Sequence, residues 1–131
     1  MDRDFHDFHR GEVYYADLGP ARGSVQGGYR PVLIFQNEVG NYFSPTVLVV
    51  PTTSNCNKKP DQPTHVVLDD VDGLRPSLFM AEQVTTVDKT FLGRYVGKLT
   101  EEQMSLIDEA LYISAGLTQP EDRIPFTVEA P

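Results

Sequence analysis

The sequence has little of several features that mark particular classes of protein. It has one cysteine, Cys56, and no tryptophan. A single cysteine cannot form an internal disulfide or a cysteine-only zinc site, and this usage is typical of a reducing compartment. No apolar run approaches the length of a membrane helix, and the charged first ten residues lack the apolar core of a signal peptide. We therefore predict one cytoplasmic domain of 131 residues without a membrane anchor.

Common catalytic motifs are absent as well. The glycine-rich stretch from Gly19 to Arg30 is not a phosphate-binding P-loop, because no GK[ST] follows it and a predicted strand comes next. There is no Gly-x-Ser-x-Gly elbow. The three histidines, His6, His9 and His65, do not have the spacing of a metal-ligand set. We predict neither a metal site nor a cofactor.

The net charge of −8 is unevenly distributed along the chain. An acidic protein is repelled by anionic nucleic acid, so this charge argues at first against such a partner. However, residues 1–60 carry six basic and six acidic side chains, whereas residues 61–131 carry five basic and thirteen acidic ones. A modest cationic groove in the first part of the chain remains compatible with these numbers.

Short apolar runs separated by glycine and proline predict a mainly β fold. Runs of this length, rich in β-branched and aromatic residues, are typical of strands in a small barrel or sandwich. The predicted strands are Glu12–Leu18, Pro31–Gln36, Thr46–Pro51, His65–Leu68, Ser77–Val84 and Leu92–Leu99.

One helix is predicted from Glu101 to about Gly116. Thr100 and Gln103 have the spacing of a capping box, and Gly116 suits the helix end. An apolar stripe at helical spacing predicts the face that packs on the sheet. The stripe consists of Met104, Ile107, Leu111 and Ser114, with Ala110 and Leu117 beside it. Residues 118–131 contain three prolines and no periodicity, which predicts an extended tail.

Three stretches contain residues suited to chemistry. The Gly19–Arg30 loop has four glycines and can direct Arg22 and Arg30 at a ligand, although solvated arginines on an ordinary hairpin loop are the commoner interpretation. Hydroxyl side chains in Pro51–Ser54 can bind a phosphate oxygen or simply form a turn. Glu82, at the end of an apolar strand, is either a general base or a surface residue.

These stretches, in this order, resemble the MazF/PemK family of toxins. The resemblance rests on RGEVYYADLGP from Arg10, on GGYRP and PTTS, on EQ-x-x-T-x-D-K, and on the helix EEQMSLIDEAL. It spans residues 10–117 and leaves 1–9 as an N-terminal extension and 118–131 as a proline-containing tail. It implies a small SH3-like barrel with a C-terminal helix, a homodimer, and a MazE-like antitoxin as partner.

The resemblance also implies an endoribonuclease that cuts single-stranded mRNA at specific sequences without a metal. RNA supplies its own nucleophile, the 2′-hydroxyl, so the enzyme has to align that oxygen and stabilise the developing charge. The family's functional arginine matches Arg30, and its threonine matches Thr53, with Thr52 one residue away. Glu82 is the candidate acid or base. The candidate RNA-binding residues are Gln26, Gly28, Tyr29, Thr52, Ser54, Ser77 and Gln83.

Two other functions remain open at this point. Val25 stands where many family members have glutamate, which leaves room for a catalytically weak dimer that only binds its antitoxin. The other alternative is a CcdB-like toxin that binds gyrase. Such toxins act through a C-terminal end in which tryptophan matters, and this chain has none.

Overall fold

The computed structural model describes residues 6–59 and 61–118. Seven strands and two α-helices follow one another along the chain, with short 3-10 turns at Ala81–Gln83 and Lys89–Phe91. The strands are β1 (Glu12–Asp17), β2 (Tyr29–Ile34), β3 (Thr46–Thr53), β4 (His65–Leu68), β5 (Ser77–Met80), β6 (Thr85–Asp88) and β7 (Leu92–Lys98). The helices are α1 (Glu38–Phe43) and α2 (Glu101–Ser114).

The strands form one antiparallel sheet in the order β4-β5-β3-β2-β1-β7, with β6 also paired to β3. The long strand β3 organises this sheet, because it pairs with β6 near its start, with β2 in the middle and with β5 at its end. In the part of the chain that the structure describes, β4 and β7 are not paired, so hydrogen bonds do not close the sheet into a barrel. The predicted fold, mainly β in an SH3-like arrangement with a C-terminal helix, is confirmed.

Both faces of the central strands are buried. Leu33 and Val50 belong to a core cluster beneath α2, whereas their neighbours Val32 and Val49 belong to a second cluster on the other face. Strands buried on both faces have continuous apolar runs, which explains PVLIF and TVLVV. Phe8, in the segment that we assigned to an N-terminal extension, is buried in the second cluster.

Helix α2 begins as predicted. The Thr100 hydroxyl accepts a hydrogen bond from the Gln103 amide at 3.1 Å, and the Gln103 side chain accepts one from the Thr100 amide at 2.8 Å. Gly116 follows the helix with a φ of +77°, the left-handed conformation of a helix-terminating glycine. Met104, Ile107 and Ala110 are buried. The end of the predicted apolar face is wrong, because Ser114 at the end of the stripe and Leu117 beside it are exposed.

The predicted strand Ser77–Val84 is also wrong beyond Met80. A 3-10 turn follows there, and β6 then starts at Thr85. Because of this turn, β5 pairs with the end of β3 and β6 pairs with its beginning. No glycine or proline marks the turn in the sequence, so the pattern of residues did not reveal it. Helix α1, capped by the Asn37 side chain, was missed as well. No helix among the described residues is long and apolar enough to cross a membrane.

Candidate active site

A cavity of about 500 Å³ lies at the start of β2 and the end of β3. Val32 pairs with Pro51, and the same antiparallel register brings Arg30 beside Thr53. Thr53 in turn pairs with Leu78, which brings the segment before β5 to the same place. The residues lining the cavity are Tyr15, Tyr29, Arg30, Pro31, Thr52, Thr53, Ser54, Gly73, Leu74, Arg75 and Ser77. Six of the predicted site residues therefore line one cavity: Tyr29, Arg30, Thr52, Thr53, Ser54 and Ser77.

The guanidinium of Arg30 is held in place by two backbone carbonyls. Its Nε donates to the Gly27 oxygen at 2.7 Å, and its Nη1 donates to the Thr52 oxygen at 3.0 Å. These bonds use two of the five N–H groups of an arginine. Among the described residues the Arg30 side chain has no further hydrogen-bond partner, so its remaining donors can bind a phosphate.

The two adjacent threonines have different surroundings. Thr52 is only 1% exposed, and its hydroxyl donates to the Pro31 oxygen at 2.8 Å. Thr53 is partly exposed, and its hydroxyl oxygen accepts from the Asn55 amide at 3.2 Å, which leaves the hydroxyl proton for a ligand. The geometry favours Thr53 as the side chain that meets a substrate, whereas Thr52 positions Arg30 through its carbonyl.

Arg75 is a cavity residue that the sequence analysis missed. It follows a turn at Gly73, where φ is +84° and a Cβ would lie 2.2 Å from the Val96 oxygen. Only glycine allows the chain to pack so closely on β7, and this turn places Arg75 at the cavity. The Asp72-Gly73 pair was the available signal for a turn. The hydroxyl of the buried Ser77 donates to the Arg75 carbonyl, so this predicted RNA-binding side chain stabilises the same turn.

The cavity is locally cationic although the chain is acidic. Arg30 and Arg75 both line it, and none of its lining residues among those described has a carboxylate. A phosphate can therefore approach the cavity despite the net charge of −8.

Gln26 and Gln83 lie outside this cavity. They line a second one of about 400 Å³ beneath the loop between β1 and β2. The Gln83 side chain accepts from the Gln26 amide at 2.8 Å and donates to the Ser24 carbonyl at 2.7 Å. Through these two hydrogen bonds to the backbone, the Gln83 side chain holds the loop between β1 and β2 in place. Gly28, with a φ of +84°, lies at the base of the loop, where its amide donates to the Gly19 oxygen at 2.6 Å.

The structure does not bring Glu82 to Arg30 and Thr53. Glu82 follows the end of β5 that is remote from Ser77, and its carboxylate lies 2.6 Å from Nε2 of the buried His65. The other ring nitrogen faces the carbonyls of Lys58 and Lys59 at 3.1 and 2.8 Å. Both ring nitrogens of His65 are thus within hydrogen-bonding distance of oxygen atoms. This pair anchors the loop between β3 and β4.

No group of three His, Cys, Asp or Glu side chains that could hold a metal ion occurs among residues 6–59 and 61–118. The predicted tail lies outside the described residues from position 119 onward.

The chain is similar to proteins of known kind. The family described as "PemK-like, MazF-like toxin of type II toxin-antitoxin system" matches residues 9–115. Endoribonuclease EndoA of Bacillus subtilis (strain 168) is 46% identical over 110 residues, which cover 82% of this chain and 94% of that protein.

Solved structures show the same likeness. A mycobacterial endoribonuclease in complex with its cognate antitoxin aligns with a TM-score of 0.71 at 32% identity, covering 86% of this chain and 98% of that one. The Mycobacterium tuberculosis toxin MazF-mt6 aligns with a TM-score of 0.66 at 28% identity, covering 80% and 96%.

Proposed function

This chain belongs to the PemK-like and MazF-like toxins of type II toxin–antitoxin systems, and on that basis we propose how it cleaves RNA. It is an endoribonuclease of the MazF type. We propose that its substrate is single-stranded mRNA read at a short sequence, and that the Arg30 cavity is the site of cleavage. The observation that carries this proposal is the Arg30 guanidinium, fixed by two carbonyls beside the Thr53 hydroxyl in a cationic cavity.

The cavity suits attack by the RNA's own 2′-hydroxyl. The 2′-oxygen forms a bond to phosphorus while the bond to the 5′-oxygen breaks, which yields a 2′,3′-cyclic phosphate and a 5′-hydroxyl end. The free N–H groups of Arg30 and the guanidinium of Arg75 stabilise the additional negative charge on the phosphorane. The hydroxyl of Thr53 donates to a phosphate oxygen. Because these contributions are made by protein donors, we propose that no divalent metal takes part.

Glu82 has no part in this scheme. Its carboxylate is hydrogen bonded to the side chains of His65 and Thr64. The described lining of the cavity offers no carboxylate or imidazole, so the chain contributes alignment and charge stabilisation. We assign the proton transfers at the 2′- and 5′-oxygens to water.

We further propose the partners and the location that accompany this activity. The substrate is single-stranded because the deep, narrow major groove of an RNA duplex excludes side chains from the base edges. The inhibitor is a MazE-like antitoxin; this proposal is supported by the similar mycobacterial endoribonuclease, which was solved in complex with its cognate antitoxin. We expect a homodimer of about twice 14.7 kDa by light scattering, located in the bacterial cytoplasm, where mRNA is found.

Substitution of the two central residues tests the proposal. Removing one preorganised donor costs on the order of 100- to 1000-fold in rate, so we expect losses of that size for Thr53→Ala and Arg30→Ala. Thr53→Ser should keep most of the activity because it keeps the hydroxyl. Arg30→Lys should not restore activity, since an ammonium cannot present the planar fork of donors. The double alanine variant should be less than additive, because both side chains act on one phosphate.

Folding has to be measured alongside activity. Arg30→Ala also removes two hydrogen bonds to carbonyl oxygens, each contributing about 1 kcal/mol, so it should lower the melting temperature. Arg22→Ala is the matched control, because this exposed arginine lies on the neighbouring loop and lines the other cavity. Wild-type cleavage by folded Thr53→Ala and Arg30→Ala would show that the site lies elsewhere.

A further inference from the structure

Three neighbouring strands build a stack of side chains beside Arg30. The rings of Tyr15 on β1 and Tyr29 on β2 are stacked, with centroids 5.0 Å apart and planes inclined by 15°. The guanidinium of Arg94 on β7 lies over the Tyr15 ring, 4.9 Å from its centroid. We call Tyr15, Tyr29 and Arg94 the aromatic stack. Strands β2, β1 and β7 are adjacent in the sheet, so the stack follows from the strand order.

Tyr29 is the accessible end of this stack. It is 64% exposed although its ring is large and apolar. Its hydroxyl reaches across β1 to β7, where a Cβ added to Gly93 would lie 3.0 Å from the oxygen. Glycine at position 93 thus leaves room for the Tyr29 hydroxyl.

An exposed ring held in this way is suited to an unpaired nucleobase. Bases of single-stranded RNA stack on aromatic side chains, and a ring that is already fixed loses little conformational freedom on binding. Tyr29 precedes Arg30 directly and lines the same cavity as Thr53. A nucleotide whose base lies on Tyr29 therefore has its phosphate within reach of the arginine.

We propose that Tyr29 is the platform on which one base of the RNA, next to the cleaved phosphate, stacks, and that Tyr15 and Arg94 are its positioning residues. This inference rests on the proposed ribonuclease function and adds a nucleobase subsite to it. Stacking engages the face of a base and not its edge, so the subsite contributes affinity with only a modest preference between bases. Tyr29 thereby acts on RNA binding, whereas Arg30 and Thr53 act on the reaction.

The experiment uses the full chain and an RNA oligonucleotide that the wild-type protein has been shown to cleave. A copy with a 2′-deoxy sugar at the cleaved position cannot react, and 2-aminopurine replaces the bases on either side of that position one at a time. We expect quenching of one of these probes by the wild-type protein. Tyr29→Ala should abolish that quenching and weaken binding about 10- to 100-fold, with a matching rise in KM and little change in kcat. Tyr29→Phe should behave as the wild type.

A pair of substitutions next to the Tyr29 hydroxyl tests whether the Tyr29 ring has to be held in position. Gly93→Ala places a methyl group against the Tyr29 hydroxyl and should weaken both binding and quenching. Adding Tyr29→Phe to Gly93→Ala removes that hydroxyl and should restore both. Arg94→Gln should weaken binding by less than Tyr29→Ala does. Phe43→Ala is the control, because Phe43 is a 72% exposed aromatic residue on α1 that does not line the cavity.

The possible failures can be told apart. If the wild-type protein cleaves RNA but folded Tyr29→Ala binds and quenches as the wild type does, the platform is refuted and the ribonuclease function stands. A loss confined to kcat would also refute it, because it would place Tyr29 at the reacting atoms. If the wild-type protein cleaves no RNA, the proposed function fails and this inference fails with it.

Discussion

Gly27 offers a sharp test of how the loop between β1 and β2 supports the site. A Cβ at this position would lie 2.3 Å from the Ala21 nitrogen, 2.5 Å from the Pro20 carbonyl carbon and 2.6 Å from the Gly19 oxygen. All three are backbone atoms, so they cannot rotate away as the end of a side chain can. Ordinary contact begins at 3.4 Å, and Gly27→Ala therefore forces the segments apart by about 1 Å.

The displacement reaches the reaction through Arg30. The Gly27 carbonyl accepts from Nε of Arg30 at 2.7 Å, so moving the loop moves or releases the guanidinium. A misplacement of about 1 Å in a catalytic group can cost roughly 100-fold in rate. We expect kcat of Gly27→Ala to fall by about that factor, with a lower melting temperature because a buried backbone contact is strained.

Cleavage of a fluorogenic RNA at saturating concentration measures this loss, and circular dichroism at the assay temperature confirms that the variant is folded. Gly23→Ala is the matched control in the same loop. Its φ of +58° adds about 1 kcal/mol of local strain, but its methyl group meets nothing within 4 Å. We expect a change in kcat of less than about threefold, since nothing is displaced. If folded Gly27→Ala cleaves as fast as the wild type, the Gly27 carbonyl does not orient Arg30.

Three further predictions concern the loop, acid stability and metal. Gln83→Ala removes two hydrogen bonds to the loop backbone, which contribute roughly 1–3 kcal/mol together. Limited proteolysis should therefore cut the loop between β1 and β2 faster than in the wild type, and an unchanged cleavage pattern would show that Gln83 does not hold the loop. Burial raises the pKa of Glu38, but hydrogen bonds from Asn41 and Arg10 and the nearby His9 outweigh it, so the pKa lies below its usual 4.5. The resulting stability is present above pH 4.5 and is lost as pH falls through the lowered pKa, so Glu38→Gln should flatten the acid side of a plot of melting temperature against pH. Cleavage should survive EDTA and leave 5′-hydroxyl ends, whereas a strict need for a divalent ion would contradict the mechanism.

The sequence predicted the elements whose signals are local. Strand β4 begins and ends at the predicted residues, and α2 begins at its predicted capping box. These signals depend on neighbours within one or two turns of chain, which composition and spacing reveal directly. The apolar runs of β2 and β3 also predicted buried strands. They did not show that alternate residues enter two separate cores, because a run buried on both faces has no periodicity.

The catalytic candidates could not be identified from the pattern of residue types alone. Arginine and threonine occur in many loops, and only the resemblance to a family singled out Arg30 and Thr53. The choice between Thr52 and Thr53 then depended on the strand register, which buries one hydroxyl against Pro31 and leaves the other at the cavity. Sequence spacing cannot make this distinction, because a shift of one residue moves a side chain to the opposite face.

Contacts between residues far apart in the sequence determined the roles of the other predicted site residues, Glu82 and Gln83. Gln83 and Ser24 are 59 residues apart, and Glu82 and His65 are 17 apart, yet each pair is hydrogen bonded. Glu82 and Gln83 are adjacent in a motif that suggested one common role. The 3-10 turn after β5 directs Glu82 to His65 and Gln83 to the loop between β1 and β2, so each has its own structural partner. A sequence motif specifies which side chains are available, whereas the turn that carries them determines what each one can reach.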